Sequence, residues 1–204
     1  MSTSTKRSSR ETTRKLVLVG LFGAVSALLM ILEFSLPLIP GFIKMDFSEL
    51  PVILGGFLLG PLYGSYIVFV KIALNFILNG TTTFGIGELV NMIGSLAYML
   101  PAVFIYRKLH TKKGAIISLV AGTLVATAVL LLANYFVMFP LYAAVMNFPM
   151  EAIVKMAGAT NPWVSDVFTM MLFSLLPFNL FKYGLTAVIT FFTYKRLEKV
   201  LPFH

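Results

Sequence analysis

The sequence predicts an all-α integral membrane protein of six transmembrane helices with both termini cytoplasmic. Three observations predict it. Of the 204 residues, 58% are hydrophobic and only 12% are charged, about half the charge fraction of a soluble domain. Apolar stretches of 18 or more residues recur, long enough to cross a bilayer, and mean hydropathy is +0.91. The basic residues behind the net charge of +8 sit in short flanks of those stretches, the pattern that orients membrane helices. That placement reads as topology, not as a nucleic-acid surface.

The apolar runs are 16–36, 50–78, 86–106, 114–146 and 165–194. Lys6, Arg7, Arg10, Arg14 and Lys15 precede the first run, Arg107, Lys108, Lys112 and Lys113 separate the third from the fourth, and Lys195, Arg196 and Lys199 follow the last. These clusters hold 12 of the 16 Lys and Arg, and the positive-inside rule puts all three in the cytoplasm. An even number of crossings must therefore precede residue 107. The second run supplies the extra one, because Gly60-Pro61 and Gly64 in "GGFLLGPLYGS" are helix breakers. The expected helices are 16–36, 48–60, 62–79, 86–107, 114–145 and 165–195. At 1.5 Å per residue the second is about 20 Å long, short of the ~30 Å hydrocarbon core, so it is re-entrant or sheltered by its neighbours.

Residues 1–15 form a basic cytoplasmic tail, 16–196 one membrane domain and 197–204 a cytoplasmic tail. The segments 37–49, 80–85 and 146–164 emerge outside. "KRSSRETTRK" before an apolar run resembles a signal-peptide start, but 16–36 exceeds a usual h-region and no A-x-A-like site ends it; the first run is a retained helix. Cysteine is absent, and the two histidines, His110 and His204, lie in basic or terminal segments, so no thiolate or histidine metal site is expected. There is no P-loop, no nucleophile–base pair and no convincing inverted repeat. A binding protein that borrows its energy fits better than an enzyme.

Ionisable groups at membrane depth cost at least about 2.5–3.5 kcal/mol each on insertion scales and persist when paired, solvated or functional. Lys182 lies about 20 Å from the basic end of the last helix at helical rise, too far to snorkel. Asn179, three residues earlier, shares its face, just after an expected kink at Pro177. Both either bind a ligand or glue the bundle. Asn134 in "LLANYFVMFP" is open to the same two readings. Lys71, Asn75 and Asn79 form a stripe every four residues; Glu88 and Asn91 share a face of the next helix, and a Lys71–Glu88 pair is one arrangement. In "FIKMDFSELP", Asp46 either caps the second helix, with Glu49 completing a capping box, or contacts a ligand. Phe42, Met45 and Phe47 alternate with the charges, which suits a flat heteroaromatic ligand and equally a loop resting on the bundle. Gly20, Gly23, Ala24 and Ala27 make a small-residue stripe for close helix packing, whether inside this chain or with another. A stand-alone secondary transporter relaying charge through Lys71, Glu88 and Lys182 is the competing class.

"KMDFSELPVILGGFLLGPLYG", "GIGELVNMIGSLAYMLPAVFIY" and "PFNLFKYG" together resemble the riboflavin-binding S-components of bacterial energy-coupling factor (ECF) transporters, over about residues 16–196. The resemblance implies the six-helix S-component fold and an outward-opening pocket capped by the first extracellular loop. It places flavin contacts on Asn134, Asn179 and Lys182, with loop contacts on Lys44, Met45, Asp46 and Phe47. It implies riboflavin as a transported ligand, with no cofactor. The implied partners are a transmembrane coupling subunit and two ABC-type ATPases in the bacterial cell membrane. Docking on the coupling subunit would use Gly20-x-x-x-Ala24 and Gly23-x-x-x-Ala27.

Overall fold

A computed structural model describes residues 2–41, 43–147 and 149–200, with side chains from residue 10 onward. Phe42, the side chains of Lys6 and Arg7, and residues 201–204, His204 included, lie outside the described residues. The chain runs α1 (Ser2–Ile31), a two-residue hairpin pairing β1 (Phe34–Ser35) with β2 (Lys44–Met45), α2 (Glu49–Leu59), α3 (Pro61–Asn79), α4 (Ile86–Leu109), α5 (Lys112–Ala133), α6 (Phe139–Met146), α7 (Met150–Thr160), α8 (Val167–Met170) and α9 (Leu176–Val200). Single π-helical turns, Asn134–Met138 and Met171–Leu175, join α5 to α6 and α8 to α9. Among the described residues, five helical stretches are long and apolar enough to cross a membrane, and α2 is a shorter apolar helix.

The break between α2 and α3 falls where Gly60-Pro61 places it. Gly60 has φ +99°, a conformation open to glycine at little cost, and Pro61 occupies the first turn of α3. Gly64 is not a breaker. It lies inside α3, where an added Cβ would sit 2.8 Å from the Met99 sulfur and 3.1 Å from Gly56 Cα, so it sets the close approach of α2, α3 and α4. The short α2 is sheltered: Pro51, Val52, Ile53, Phe57, Leu58 and Leu59 are all buried among α1, α3, α4 and α9. Its backbone never needs lipid on all sides, which makes the short length tolerable.

The structure departs from the sequence expectation chiefly in three places: the first helix, the 146–164 segment and the π-helical turns. The first helix begins at Ser2 and ends at Ile31, not at 36, because Pro37 and Pro40 push the residues before them toward extended backbone; the hairpin takes their place. Within its polar N-terminal half a Glu11–Lys15 pair lies one turn apart at 2.6 Å. The segment 146–164 carries α7, whose Ile153 and Ala157 pack with Phe139, Val164, Met170 and Leu175. Each π-helical turn is followed within two residues by a proline, Pro140 or Pro177. Pro177 has no N–H to donate to the Phe173 carbonyl, and Asn161 Nδ2 takes that acceptor at 3.0 Å.

The bundle wears its apolar residues outward as well as inward. Leu21, Leu28, Phe69, Ile77, Leu124 and Phe192 are all exposed, as expected when the solvent is lipid. Polar groups are drawn to the interior, where Lys71, Glu49, Ser95, Asp46 and Lys182 are all buried. The basic clusters gather at one end: Lys15 lies over the Tyr63 ring, Arg107 packs at Gly60, Tyr106 donates to Glu198 at 2.7 Å, and Lys112, Lys195 and Lys199 line one cleft. The hairpin loop, the 80–85 turn and α6 meet at the other end.

Candidate ligand-binding site

Two joined cavities open at the hairpin end. The first, about 120 Å³, has apolar walls from Val90 of α4, Leu130 of α5, Phe139 of α6, and Leu175, Phe178 and Tyr183 of the last helix. Its polar groups are Asn91, Asn134, Asn179 and Lys182, with Lys44 at the mouth. The second, about 320 Å³, is lined mainly by polar residues, among them Glu33, Asp46, Asn75, Glu88 and Thr83. Lys44, Gly87, Asn91 and Tyr142 border both, so the two form one cleft with an apolar and a polar half.

Local backbone chemistry aims the three amides. Asn91 Nδ2 donates to the Gly87 carbonyl at 3.1 Å, Asn134 Nδ2 to Leu130 at 2.7 Å and Asn179 Nδ2 to Leu175 at 2.9 Å. Each is an i to i−4 bond that ties down the amide nitrogen. Each Oδ1 stays available as an acceptor. Asn134 opens one π-helical turn, and Asn179 bonds to the last residue of the other. Such turns recur at functional sites because they widen the helix and re-aim its side chains.

Lys182 is fixed by the loop. Its Nζ lies 2.7 Å from Asp46 Oδ2, both side chains almost wholly buried, while Asp46 Oδ1 accepts from the Ser48 N–H at 2.7 Å. Burial pushes the Asp46 carboxyl up, but the ammonium groups of Lys182 and Lys71 and the hydrogen bonds from Lys182 and Ser48 more than offset it, and it is held below its ordinary value. Two ammonium protons of Lys182 remain for a ligand. Behind this pair lies a second. Lys71 Nζ donates to Glu49 Oε1 at 2.8 Å, to Ser95 Oγ at 2.6 Å and to Ser48 Oγ at 3.3 Å. Ser26 Oγ donates to the Ser48 carbonyl. Four buried charges thus cancel, and Ser48 links the two pairs.

Several sequence expectations are revised by this geometry. Lys71 pairs with Glu49, not Glu88, whose Oε2 accepts from Thr81 at 3.1 Å. The Lys71–Glu88–Lys182 relay therefore has no continuous path among the described residues. Asp46 is not the residue at the helix cap, since Ser48 precedes α2 and Glu49 turns to Lys71; no capping box forms there. Met45 is fully buried with Ile39 and Phe178, and Phe47 packs at the edge of that cluster, near the Phe34 ring. Of the proposed contact residues, Lys44, Asn134, Asn179 and Lys182 line the first cavity and Asp46 the second, while Met45 and Phe47 line neither. On α1, Gly23 and Ala27 are buried, and a Cβ on Gly23 would come 2.7 Å from Val70 Cβ. Gly20 is exposed with open space around it, and Ala24 is half-buried.

Tyr142 and Tyr183 line the cavity but were not legible in the sequence, since nothing marks one aromatic among many as inward-facing. Asn91 had a signal, its shared face with Glu88.

A membrane-embedded helical bundle with a capped polar cleft at one end, and no catalytic constellation among the described residues, defines a solute-binding membrane protein. The chain belongs to the family of ECF transporter substrate-specific components, whose model matches residues 14–194. It is a transport protein of the bacterial membrane, not an enzyme, and as an S-component it pairs with an ECF module. Among relatives, it is 30% identical over 181 residues to the riboflavin transporter FmnP of Bacillus subtilis, covering 87% of this chain and 88% of that one. It is 30% identical over 204 residues to the riboflavin transporter RibU of Lactococcus lactis, covering 94% and 98%. A solved S component of a bacterial ECF transporter superposes with a TM-score of 0.73 at 25% identity, covering 94% of this chain and 99% of that chain. The architecture is thus the S-component fold.

Proposed function

We propose that this chain captures riboflavin from outside the cell and delivers it to an ATP-driven ECF module, a coupling subunit with two ABC-type ATPases, its own termini lying in the cytoplasm. One observation carries the reading: an apolar-walled cavity in which the amides of Asn134 and Asn179 and the Lys182 ammonium converge. An isoalloxazine is flat and uncharged, apolar on its faces and edged with carbonyl and N–H groups. One of the Asn134 and Asn179 oxygens accepts from its single ring N–H, and Lys182 donates to its carbonyls. The hairpin loop closes above, with Asp46 clasping Lys182. Relatives at about 30% identity that carry the name riboflavin transporter support the same substrate. The exposed side of α1 at Gly20 and Ala24 meets the coupling subunit, while Gly23 and Ala27 serve the packing of α1 on α3.

The test is a titration of purified protein into riboflavin, following flavin fluorescence, with thiamine and folate as competitors. Saturable quenching at one flavin per chain, unmoved by the competitors, is expected. Folded protein that ignores riboflavin and binds another vitamin would move the substrate and leave the S-component class intact.

A further inference from the structure

At the end of the bundle opposite the binding cleft, positive charge converges without an answering anion. Lys112, the first residue of α5, and Lys195 and Lys199 of α9 line a cleft of about 410 Å³ together with Phe191, Phe192 and Tyr194. Phe192, Lys195 and Lys199 stand at i, i+3 and i+7, one stripe of α9, and α5 packs alongside that helix. Among the described residues no carboxylate lines the cleft. Glu198 accepts from the Tyr106 hydroxyl at 2.7 Å and lies 3.6 Å from Lys195, but Lys112 and Lys199 have no ion pair among the described residues. Lys112 also sits where a helix disfavours it. The first turn of α5 holds Lys112 and Lys113 and no acid, although the partial positive charge of a helix N-terminus favours anions. The positive-inside rule accounts for lysines at this end; it does not account for their gathering in one cleft with apolar rings.

The cleft is amphiphilic along the bundle axis. Phe192 is 71% exposed and lies about 10 Å along the helix from Lys199, on the side toward the hydrocarbon, while the ammonium groups stand at the rim. A soluble anion would answer the lysines and leave the ring bare. An acyl chain beneath an anionic headgroup answers both, and basic pockets between membrane helices take acidic headgroups in this way. We propose that the cleft binds one phospholipid of net negative headgroup from the leaflet at this end. Its phosphate is held between Lys112 and the Lys195–Lys199 stripe, and its acyl chain lies along Phe192. The lipid thereby ties the start of α5 to the end of α9. This site is separate from the ligand cleft and does not rest on the riboflavin reading.

The experiment places full-length protein in detergent micelles doped with phosphatidylglycerol or with phosphatidylcholine of the same acyl chains. Native mass spectrometry counts the retained lipid, and thermal unfolding gives the melting temperature. Wild type is expected to keep one phosphatidylglycerol per chain in preference to phosphatidylcholine and to melt higher in its presence. Lys112→Ala with Lys199→Ala should cut that preference about 25-fold, roughly fivefold per lysine, and abolish the melting shift. Lys108→Ala with Lys113→Ala removes the same charge from the same end but outside the cleft, and should change neither. All four lysines are exposed, and matching melting temperatures in phosphatidylcholine show that the proteins are folded. Equal losses in the two double variants would reduce the cleft to general surface attraction and overturn the proposal, as would a wild type that does not discriminate between the lipids. A melting shift produced equally by inorganic phosphate would assign the cleft to a free anion and overturn the lipid. Unchanged lipid preference in the cleft variant overturns it too, and loss of co-purification with the coupling subunit in that case makes the cleft a subunit surface instead.

Discussion

Replacing Lys182 with Met should weaken riboflavin binding by roughly two powers of ten. The perturbation keeps the length of the side chain and removes its charge. Its Nζ sits 2.7 Å from Asp46 Oδ2, the side chains 6% and 4% exposed, so solvent and salt screen the pair little. Breaking a buried pair by removing one partner costs about 3–5 kcal/mol, mostly because the other charge is left stranded. Here Asp46 keeps the Ser48 N–H at 2.7 Å and the field of Lys71, which places the stability loss at the lower end, about 3 kcal/mol; the affinity loss is that of the charged hydrogen bond Lys182 donates to the ligand, up to about 3 kcal/mol or roughly 150-fold. The assay is fluorescence titration of Lys182→Met, Asp46→Asn and the double variant, with thermal unfolding of each as a control. If Lys182 acts largely through the loop clasp, the double variant is scarcely worse than either single one, a coupling well above 0.5 kcal/mol. Additive losses would assign Lys182 to the ligand and not to the clasp. Binding by Lys182→Met within threefold of wild type would refute the reasoning altogether.

Lys71→Met should lower stability by about 3–5 kcal/mol by stranding Glu49, and Lys71→Met with Glu49→Leu should recover most of it; melting temperature in detergent reports both. Gly20→Leu should leave flavin binding and melting temperature unchanged but reduce co-purification with the coupling subunit, whereas Gly23→Leu should lower the melting temperature, because its side chain would strike Val70. Asp46 is held below the ordinary carboxylate value, so its stabilisation is fully present above the unfolded value of about 3.9 and is lost only as pH falls through the lower folded value. Riboflavin affinity should accordingly be flat from about pH 5 to pH 8, and a fall within that window on acidification would contradict the Asp46–Lys182 clasp.

The membrane class, the α2–α3 break and the inward placement of Lys182 and Asn179 were all legible because each rests on a local rule. A lysine in mid-helix must be housed, and Gly-Pro must break a helix, wherever they occur. The partners of the charges were not legible. Lys71 could be matched on paper to Glu88 as readily as to Glu49, and only the seating of α2 among α1, α3 and α4 decides it. The hairpin and α7 were missed for a related reason: Pro37 and Pro40 signal an end to helix without specifying a hairpin, and the apolar residues of α7 are too few for a strong period. Asn75 looked like a member of a stripe with Lys71 and Asn79. The fold splits that stripe three ways, into an ion pair, an orphaned amide and an exposed helix end.

The two buried ion pairs differ in how far apart their members lie along the chain. Lys71 and Glu49 are 22 residues apart, Lys182 and Asp46 136. During synthesis the first pair becomes available as soon as α3 follows α2 into the membrane, so the inner half of the bundle can neutralise itself early. Asp46 must wait for the last helix, which at about 5–20 residues per second is a delay on the order of ten seconds. Throughout that interval the carboxylate has only Lys71 and the Ser48 N–H to hold it. The nascent chain therefore completes its binding cleft in its final step of assembly. A chain stalled or truncated before α9 would lack the clasp, the α9 wall of the cleft and part of the packing around α2, and so any means of retaining a solute.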